Sequence, residues 1–290
     1  MLSNNLEYWG WLSLALSPQN STKWSVLKDF SPELIYDMVL HNENPGFSPI
    51  DFRKLKSCNL HYVQQAFEDC YNEGINIYCP EDSAYPEKLL DIYNPPTILF
   101  SYGDLGAVDF NISAAVIGSR NADDYALYCA GRLSSELASK GVSIISGFAR
   151  GIDSSAHNGA LRGGGQTVAV LGCGIQYDYP RGTKKFKERI AENGAVISEY
   201  MPYTEPSHDS FKVRNRIISG LSDGIVVISA GMKSGTLNTI SHGNSQGKDV
   251  FVLPPMDIFN ENYQGNISLL RDGATPVYSY EDILTNLKTD

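Results

Sequence analysis

The amino-acid sequence predicts an α/β fold in which a doubly wound, mostly parallel sheet follows a small helical domain. Two observations support this prediction. From residue 113 onward, short β-branched runs alternate with helical segments, which is typical of βαβ units and of a sheet buried on both faces. Before residue 75, apolar residues instead recur at helical spacing. We therefore expect a small helical domain over 1–75, a connector over 76–106 and the sheet domain over 107–290.

The helical domain is indicated by apolar residues such as Leu6, Trp9, Leu12 and Leu16, which share one face of a helix. Prolines break this stretch into about four short helices, because proline removes a backbone donor and ends a helix. The breaks are Pro18, Pro32, Pro45 and Pro49. The connector that follows is rich in proline and holds two short extended runs, at 75–79 and 97–100.

The sheet domain is predicted element by element. Strands are expected at 114–117, 142–145, 167–171, 195–198, 225–228, 249–253 and 275–278. Helices are expected at 124–140, 152–162, 184–193, 214–221, 236–246 and 266–272. Right-handed crossovers place the ligand crevice of such a sheet beyond the carboxyl ends of its strands.

Small residues follow four of the first five predicted strands. Glycines at such turns let a ligand approach the backbone, and successive amides at a helix N-terminus attract anions. The loop residues expected to bind phosphate are Gly118, Ser119, Ser146, Gly147, Gly172, Ser234, Gly235 and Thr236. For any single loop, ordinary turn chemistry is the alternative explanation.

Basic side chains gather at the same predicted edge, and guanidinium forks suit phosphate oxygens. The candidates are Arg120, Arg150, Arg181, Lys184, Lys185, Arg214 and Arg216, with Asn215 between the last two. For the lysines the alternative is a solvated helix face, and for the two arginines a salt bridge to Glu199 or Asp223. We favour phosphate for the arginines, because at the predicted helix start a cation opposes the helix dipole.

The charge distribution is compatible with such a ligand although the chain has a net charge of −10. Residues 1–105 hold 6 Lys and Arg against 14 Asp and Glu, whereas residues 106–223 hold 13 against 12. The acidity therefore lies mainly in the N-terminal third. No apolar run approaches the ~20 residues that cross a bilayer, and no basic residue precedes Lys23 at the N-terminus. A cytoplasmic protein is expected.

No catalytic, cofactor or metal site is predicted. The dinucleotide fingerprint Gly-x-Gly-x-x-Gly does not follow the first sheet-domain strand, and the Walker pattern is missing as well. No His pairs with another His or a Cys at metal-ligand spacing. His157 follows Asp153 by one helical turn, but a helix-capping Asp beside a packed, hydrogen-bonded His explains this pair better than a general base does.

Several strings together resemble the DNA-processing protein A (DprA/Smf) family. They are VIGSR at 116–120, SGFARGID at 146–153, VAVLGCG at 168–174, SEY at 198–200, RNRIISGLSD at 214–223 and SGTL at 234–237. The resemblance covers about residues 85–285. It departs at Phe148, where the family usually has Leu, at Ser229, where it has an acidic residue, and over 256–265.

The resemblance implies an extended Rossmann-like fold behind a small SAM-like helical domain. It implies a homodimer, with an edge near 266–270, that binds single-stranded DNA without base preference and loads the RecA recombinase during natural transformation. Arg120, Arg181 and Lys184 match the family's DNA-binding positions. Two alternatives remain: a phosphoribohydrolase-like enzyme on a related scaffold, although Lys233 to Thr236 lacks that group's glycine-rich string and catalytic Glu, and a sensor of free nucleotides.

Overall fold

The computed structural model describes residues 5–287. Its N-terminal part contains five helices, one more than expected. They are α1 (Leu6–Ala15), α2 (Ser21–Leu27), α3 (Pro32–Leu40), α4 (Pro49–Ser57) and α5 (Leu60–Asn72). The additional boundary has no proline. Instead, the Asn59 side chain accepts the backbone N–H of His61 at 2.9 Å and starts α5, which a search for proline breaks does not detect.

Both extended runs of the connector are strands of the main sheet. β1 (Ile75–Tyr78) pairs antiparallel with β2 (Leu99–Tyr102), and β2 pairs antiparallel with β6 (Gly194–Ser198), Phe100 opposite Ser198. The division of the chain at residues 75 and 106 stays a prediction. The segment between them nevertheless contributes an edge of the sheet.

The remaining elements alternate along the chain as the sequence predicts. The strands are β3 (Ser113–Gly118), β4 (Ser143–Ser146), β5 (Thr167–Val170), β7 (Gly224–Ser229), β8 (Asp249–Val252) and β9 (Thr275–Pro276). The helices are α6 (Asp124–Ala138), α7 (Ile152–Arg162), α8 (Lys184–Ala191), α9 (His208–Gly220), α10 (Thr236–Ser245), α11 (Gln264–Arg271) and α12 (Tyr280–Leu287). The predicted start of α9 at residue 214 is wrong by six residues.

Over residues 5–287 the sheet has nine strands in the order β1-β2-β6-β5-β4-β3-β7-β8-β9. The seven strands from β6 onward in this order run parallel. The predicted α/β class with a doubly wound sheet is confirmed. From β3 the chain builds outward through β4, β5 and β6, then returns to the other side of β3 with β7. Ligands of such sheets bind at this reversal of strand order.

The helical part and the sheet share a hydrophobic core. Leu12 of α1, Phe67 of α5, Phe100 of β2 and Val196 of β6 are buried in one cluster. The Phe67 and Phe100 rings meet edge to face at a centroid distance of 6.0 Å. Among residues 5–287, no helix is both long and apolar enough to cross a membrane.

Candidate functional site

Two adjoining cavities open at the carboxyl ends of the parallel strands, one of about 480 Å³ and one of about 990 Å³. We refer to them as the small and the large cavity, and to both together as the crevice. Their shared lining residues are Arg120, Asn121, Ala149, Tyr179 and Phe211. The crevice therefore lies where the strand order predicts a ligand site.

Most of the candidate residues line this crevice. Those that do are Gly118, Ser119, Arg120, Gly147, Arg150, Gly172, Arg181, Arg214, Asn215, Ser234, Gly235 and Thr236. Ser146, Lys184, Lys185 and Arg216 line neither cavity. The strand-end loops thus converge as expected, although four of the chosen side chains lie elsewhere.

The loop after β3 is held against the start of α7 by backbone contacts. Ser119 donates its N–H to the Ser229 carbonyl at 2.9 Å and accepts the Ile152 N–H at 3.3 Å. Gly151 has a φ of +82°, and a Cβ there would lie 2.4 Å from the Ser119 carbonyl oxygen. Only glycine fits this position. The exposed Arg120 side chain therefore projects from a firmly held loop into both cavities.

An aromatic ring lies between the basic side chains of the crevice. The Phe211 ring of α9 lies under two guanidinium groups, with its centroid 5.3 Å from Cζ of Arg120 and 5.7 Å from Cζ of Arg214. The centroid of the Tyr179 ring lies 5.5 Å from the centroid of the Phe211 ring. A Cβ on Gly172 would lie 2.5 Å from Phe211, so glycine makes room for this ring. Proteins that bind single-stranded nucleic acids use aromatic rings to stack bases and neighbouring cations to contact phosphates.

Arg214 connects the ends of two strands. Its side chain is 4% exposed and donates to the Gly147 carbonyl at 2.8 Å, to the Val170 carbonyl and to Oδ1 of Asn215. Burial lowers the pKa of Arg214 to about 10, and the nearby Asp153 carboxylate opposes this effect. The guanidinium stays charged at neutral pH. Arg214 therefore supplies positive charge to the large cavity while its donors hold the crevice together.

Arg216 does not reach the crevice, and the preference for a phosphate role at this position is wrong. Its side chain is 4% exposed and forms a two-pronged ion pair with Glu199, with both N–O distances at 2.6 Å. Its Nε also donates to the Asn94 carbonyl at 3.0 Å. Because α9 begins at His208, both arginines lie inside the helix and not at its positive end. The salt bridge considered as the alternative is the one present.

Ser146 and the lysines also differ from expectation. Ser146 is fully buried, and its hydroxyl donates to the Val116 carbonyl at 2.7 Å, so it joins two strands. Lys184 and Lys185 are exposed on the first turn of α8, outside both cavities. Lys187 is buried and donates to the Ile175 and Tyr177 carbonyls at 3.2 and 3.0 Å. It supports the loop that carries Tyr179.

The start of α10 contributes the polar end of the large cavity. The Ser234 hydroxyl accepts the Thr236 N–H at 3.2 Å and donates to the Thr236 hydroxyl at 2.8 Å. Nothing lies within 4 Å of the Cβ position of Gly235, and Lys233 is exposed beside it. A ligand in the large cavity can approach this backbone without displacing a side chain.

His157 has a structural role, as expected. It is fully buried, and its Nδ1 lies 2.7 Å from the Thr167 hydroxyl, which donates to the Ile144 carbonyl at 2.7 Å. Because the Thr167 hydroxyl donates its proton to Ile144, it can only accept a hydrogen bond from His157. Nδ1 therefore carries the hydrogen of the neutral imidazole ring. Burial lowers the pKa of His157 to about 3. Within residues 5–287, no group of three His, Cys, Asp or Glu side chains could hold a metal ion.

The sequence reasoning missed several residues of the crevice. Phe211 and Lys212 belong to the first turns of α9, and Lys233 precedes the start of α10. Ser207 caps α9 together with Ser210, each side chain accepting the other's backbone N–H at 3.0 Å. In the usual capping box, Glu or Gln stands three residues after the capping Ser or Thr. A search that also accepted serine there would have placed Phe211 on the helix.

The fold and the crevice define a Rossmann-like protein with a basic, aromatic ligand site at its strand reversal. The sequence model of the family described as DNA recombination-mediator protein A matches residues 76–288. The DNA processing protein DprA of Bacillus subtilis is 33% identical over 270 residues, which are 93% of this chain and 86% of the relative. Protein Smf of Escherichia coli is 41% identical over 223 residues, which are 76% of this chain and 59% of the relative.

Two solved structures are similar as well. DNA processing protein A from Streptococcus pneumoniae has a TM-score of 0.82 and 29% identity, and the match covers 100% of both chains. The protein from Helicobacter pylori, described by its single-stranded DNA binding mode, has a TM-score of 0.64 and 31% identity over 73% of this chain and 95% of that one. The chain belongs to the DNA recombination-mediator protein A family. The predicted family and its role in DNA processing are confirmed, and the phosphoribohydrolase alternative is not favoured.

Proposed function

We propose that this protein binds single-stranded DNA in the crevice as a recombination mediator and is not an enzyme. The observation that carries the proposal is the Phe211 ring between the Arg120 and Arg214 guanidinium groups. The ring can stack a base while the exposed Arg120 contacts a neighbouring phosphate and the buried Arg214 adds positive charge, which is a sequence-tolerant way to bind a single strand. The Helicobacter pylori relative, described by its single-stranded DNA binding mode, supports this proposal.

The proposed DNA path has an inner and an outer part. Inside the crevice, the strand-end loops and Asn215 face the phosphates, while Arg120, Arg150 and Arg181 supply exposed charge. Outside it, Lys184 and Lys185 extend the positive surface from Arg181 along α8. Ser146 and Arg216 support the path without touching DNA, because both are buried and already paired.

Fluorescence anisotropy of a labelled oligothymidine, titrated at several salt concentrations, tests the proposal. Affinity should fall linearly with salt on logarithmic axes, and each lost phosphate contact should reduce the slope by about 0.7. Arg120→Ala and Arg181→Ala should weaken binding and reduce the slope, and Lys184→Ala should do so to a smaller extent. Arg132→Ala is the matched control, since Arg132 is exposed on α6 and lines neither cavity. No binding at low salt, or equal binding by Arg120→Ala, would contradict the proposal.

The partners follow from the family resemblance. We propose that the protein forms a homodimer, protects incoming single strands and loads RecA during natural transformation, and that it does so in the cytoplasm. The dimer edge expected near 266–270 cannot use Asn266, because this side chain is buried and donates to the Ile228 and Leu253 carbonyls. Leu269 and Leu270 of α11 are half-buried, so each packs against the core of the sheet and keeps part of its surface exposed. Leu270→Glu should produce monomers in sedimentation velocity, and a wild-type monomer would contradict the dimer.

A further inference from the structure

One acidic side chain lies inside the proposed DNA site. Asp153, the second residue of α7, is 8% exposed and lines the large cavity. Its Oδ2 accepts the Ala149 N–H at 3.2 Å. A Cβ on Gly147 would lie 2.8 Å from this oxygen and 2.8 Å from an Arg214 nitrogen, so the carboxylate and the guanidinium flank the same point. An ionised carboxylate in a phosphate-binding site repels the phosphate unless the carboxylate becomes protonated.

The surroundings of Asp153 leave its protonation sensitive to a new charge. Burial raises the pKa of Asp153, whereas Arg214, the Ala149 N–H, Ser146 and Arg120 lower it. The positive end of α7 also favours the ionised form. Among the other groups around it, His157 is neutral, and His208, Lys212 and Lys233 line the same cavity. An entering phosphate attracts the exposed Arg120 and adds a negative charge beside the buried carboxylate.

We propose that Asp153 takes up a proton when single-stranded DNA occupies the large cavity. The proton comes from the buffer and binds a carboxylate oxygen. The protonated group gains an O–H donor that a phosphate oxygen accepts, so a repulsive contact becomes a hydrogen bond. DNA binding is then linked to pH and strengthens as the pH falls. This inference rests on the proposed function.

Calorimetric titration of the full chain with oligothymidine tests the proton uptake. Repeating it near pH 6.5 in buffers of different ionisation enthalpy, such as PIPES and imidazole, gives the number of protons bound. Thymine itself does not titrate in this range. An uptake of about half a proton corresponds to binding about threefold tighter per pH unit decrease. Affinity measured between about pH 6 and pH 8 should follow this slope.

Four variants assign the proton. Asp153→Asn should lose most of the uptake and bind more tightly than wild type at about pH 8, whereas Asp153→Glu should retain uptake. His208→Gln replaces the histidine that lines the same cavity and should also retain the uptake. Asp209→Asn deletes an exposed charge at the start of α9, and its affinity should keep the wild-type pH slope.

The outcomes separate the two proposals. DNA binding without proton uptake, uptake that Asp153→Asn retains in full, or uptake that His208→Gln abolishes would overturn the role of Asp153 and leave DNA binding intact. No binding at any pH would overturn both. If Asp153→Asn does not fold, Asp153→Ala takes its place: loss of the uptake in that variant supports the proposal, and uptake that it retains in full overturns it.

Discussion

The Arg120 guanidinium lies over the Phe211 ring, 5.3 Å from the ring centroid, although the two residues come from distant parts of the chain. Arg120 follows β3, and Phe211 belongs to α9. The ring restricts an exposed cation that would otherwise move freely in solvent. The contact therefore prepares Arg120 for a ligand, since less side-chain freedom is lost on binding.

Phe211→Ala should weaken oligothymidine binding by about 1 to 3 kcal/mol, the usual contribution of one stacked base. The loss should exceed that of removing an aromatic ring elsewhere on the surface. Tyr128→Ala is the matched control, because Tyr128 is exposed on α6 and lines neither cavity of the crevice. Anisotropy titrations at one salt concentration measure both. Equal affinity of Phe211→Ala and wild type would show that the ring does not contact DNA.

Arg216→Met should lower the free energy of unfolding by about 3 to 5 kcal/mol, because it leaves the buried Glu199 carboxylate unpaired. The double variant Glu199→Leu/Arg216→Met should recover most of this loss. Arg120→Ala should change stability by about 0.5 kcal/mol or less. Urea unfolding followed by circular dichroism gives all three values. A small effect of Arg216→Met would mean that the ion pair does not stabilise the fold.

Gly151→Ala should destabilise the protein by about 2 to 4 kcal/mol, since a side chain at its positive φ would meet the Ser119 carbonyl. Gly235→Ala is the comparison, because open space surrounds that position and its φ is −59°. It should lose about 1 kcal/mol or less. Thermal unfolding of the two variants decides the point, and similar losses would argue against a tightly held loop after β3.

Lys23→Met should stabilise the protein at neutral pH. Lys23 of α2 is 2% exposed, and burial lowers its pKa to about 8 from 10.5, with Glu199 opposing and Arg216 adding to the effect. Burying this cation therefore opposes folding by about 3 kcal/mol at neutral pH. Below about pH 8 both the folded and the unfolded chain hold the proton, so the contribution of Lys23 does not vary with pH there.

Above that pH the contribution of Lys23 depends on pH. Between about 8 and 10.5 the folded chain releases the Lys23 proton while the unfolded chain keeps it, so the contribution of Lys23 to stability rises with pH. The stability gain from Lys23→Met should therefore shrink over this range. Urea unfolding of both proteins at a series of pH values measures the difference. A gain that stays constant with pH would show that Lys23 is not the titrating group.

The parallel strands could be predicted because a strand that is buried on both faces has an uninterrupted run of apolar residues. β7, for example, was expected at 225–228 and spans Gly224–Ser229. The positions of β1 and β2 could not be predicted in the same way. β2 joins the sheet through β6, which lies about 100 residues further along the chain, and no local pattern encodes an antiparallel pairing at that distance.

For the site, the exposed arginines could be predicted, whereas the lysines of α8 and the buried arginines of α9 could not be placed in the same way. Arg120 and Arg181 line the crevice from the loops that follow β3 and β5. Arg214 and Arg216 are two residues apart on one helix, yet one faces the crevice and the other faces Glu199. That difference depends on where α9 begins. A six-residue error in the helix start was enough to misplace Arg216 and hide Phe211.

The pairing of β2 with β6 has a consequence for the order in which the protein is made. Phe100 and Leu12 share a core with Val196, so the first hundred residues leave the ribosome before the strand that completes their packing. At about 5 to 20 residues per second, this delay lasts roughly 5 to 20 seconds. During that interval the apolar faces of the nascent N-terminal helices are open to chaperones, and a chain truncated before residue 194 should be degraded rather than accumulate as a folded fragment.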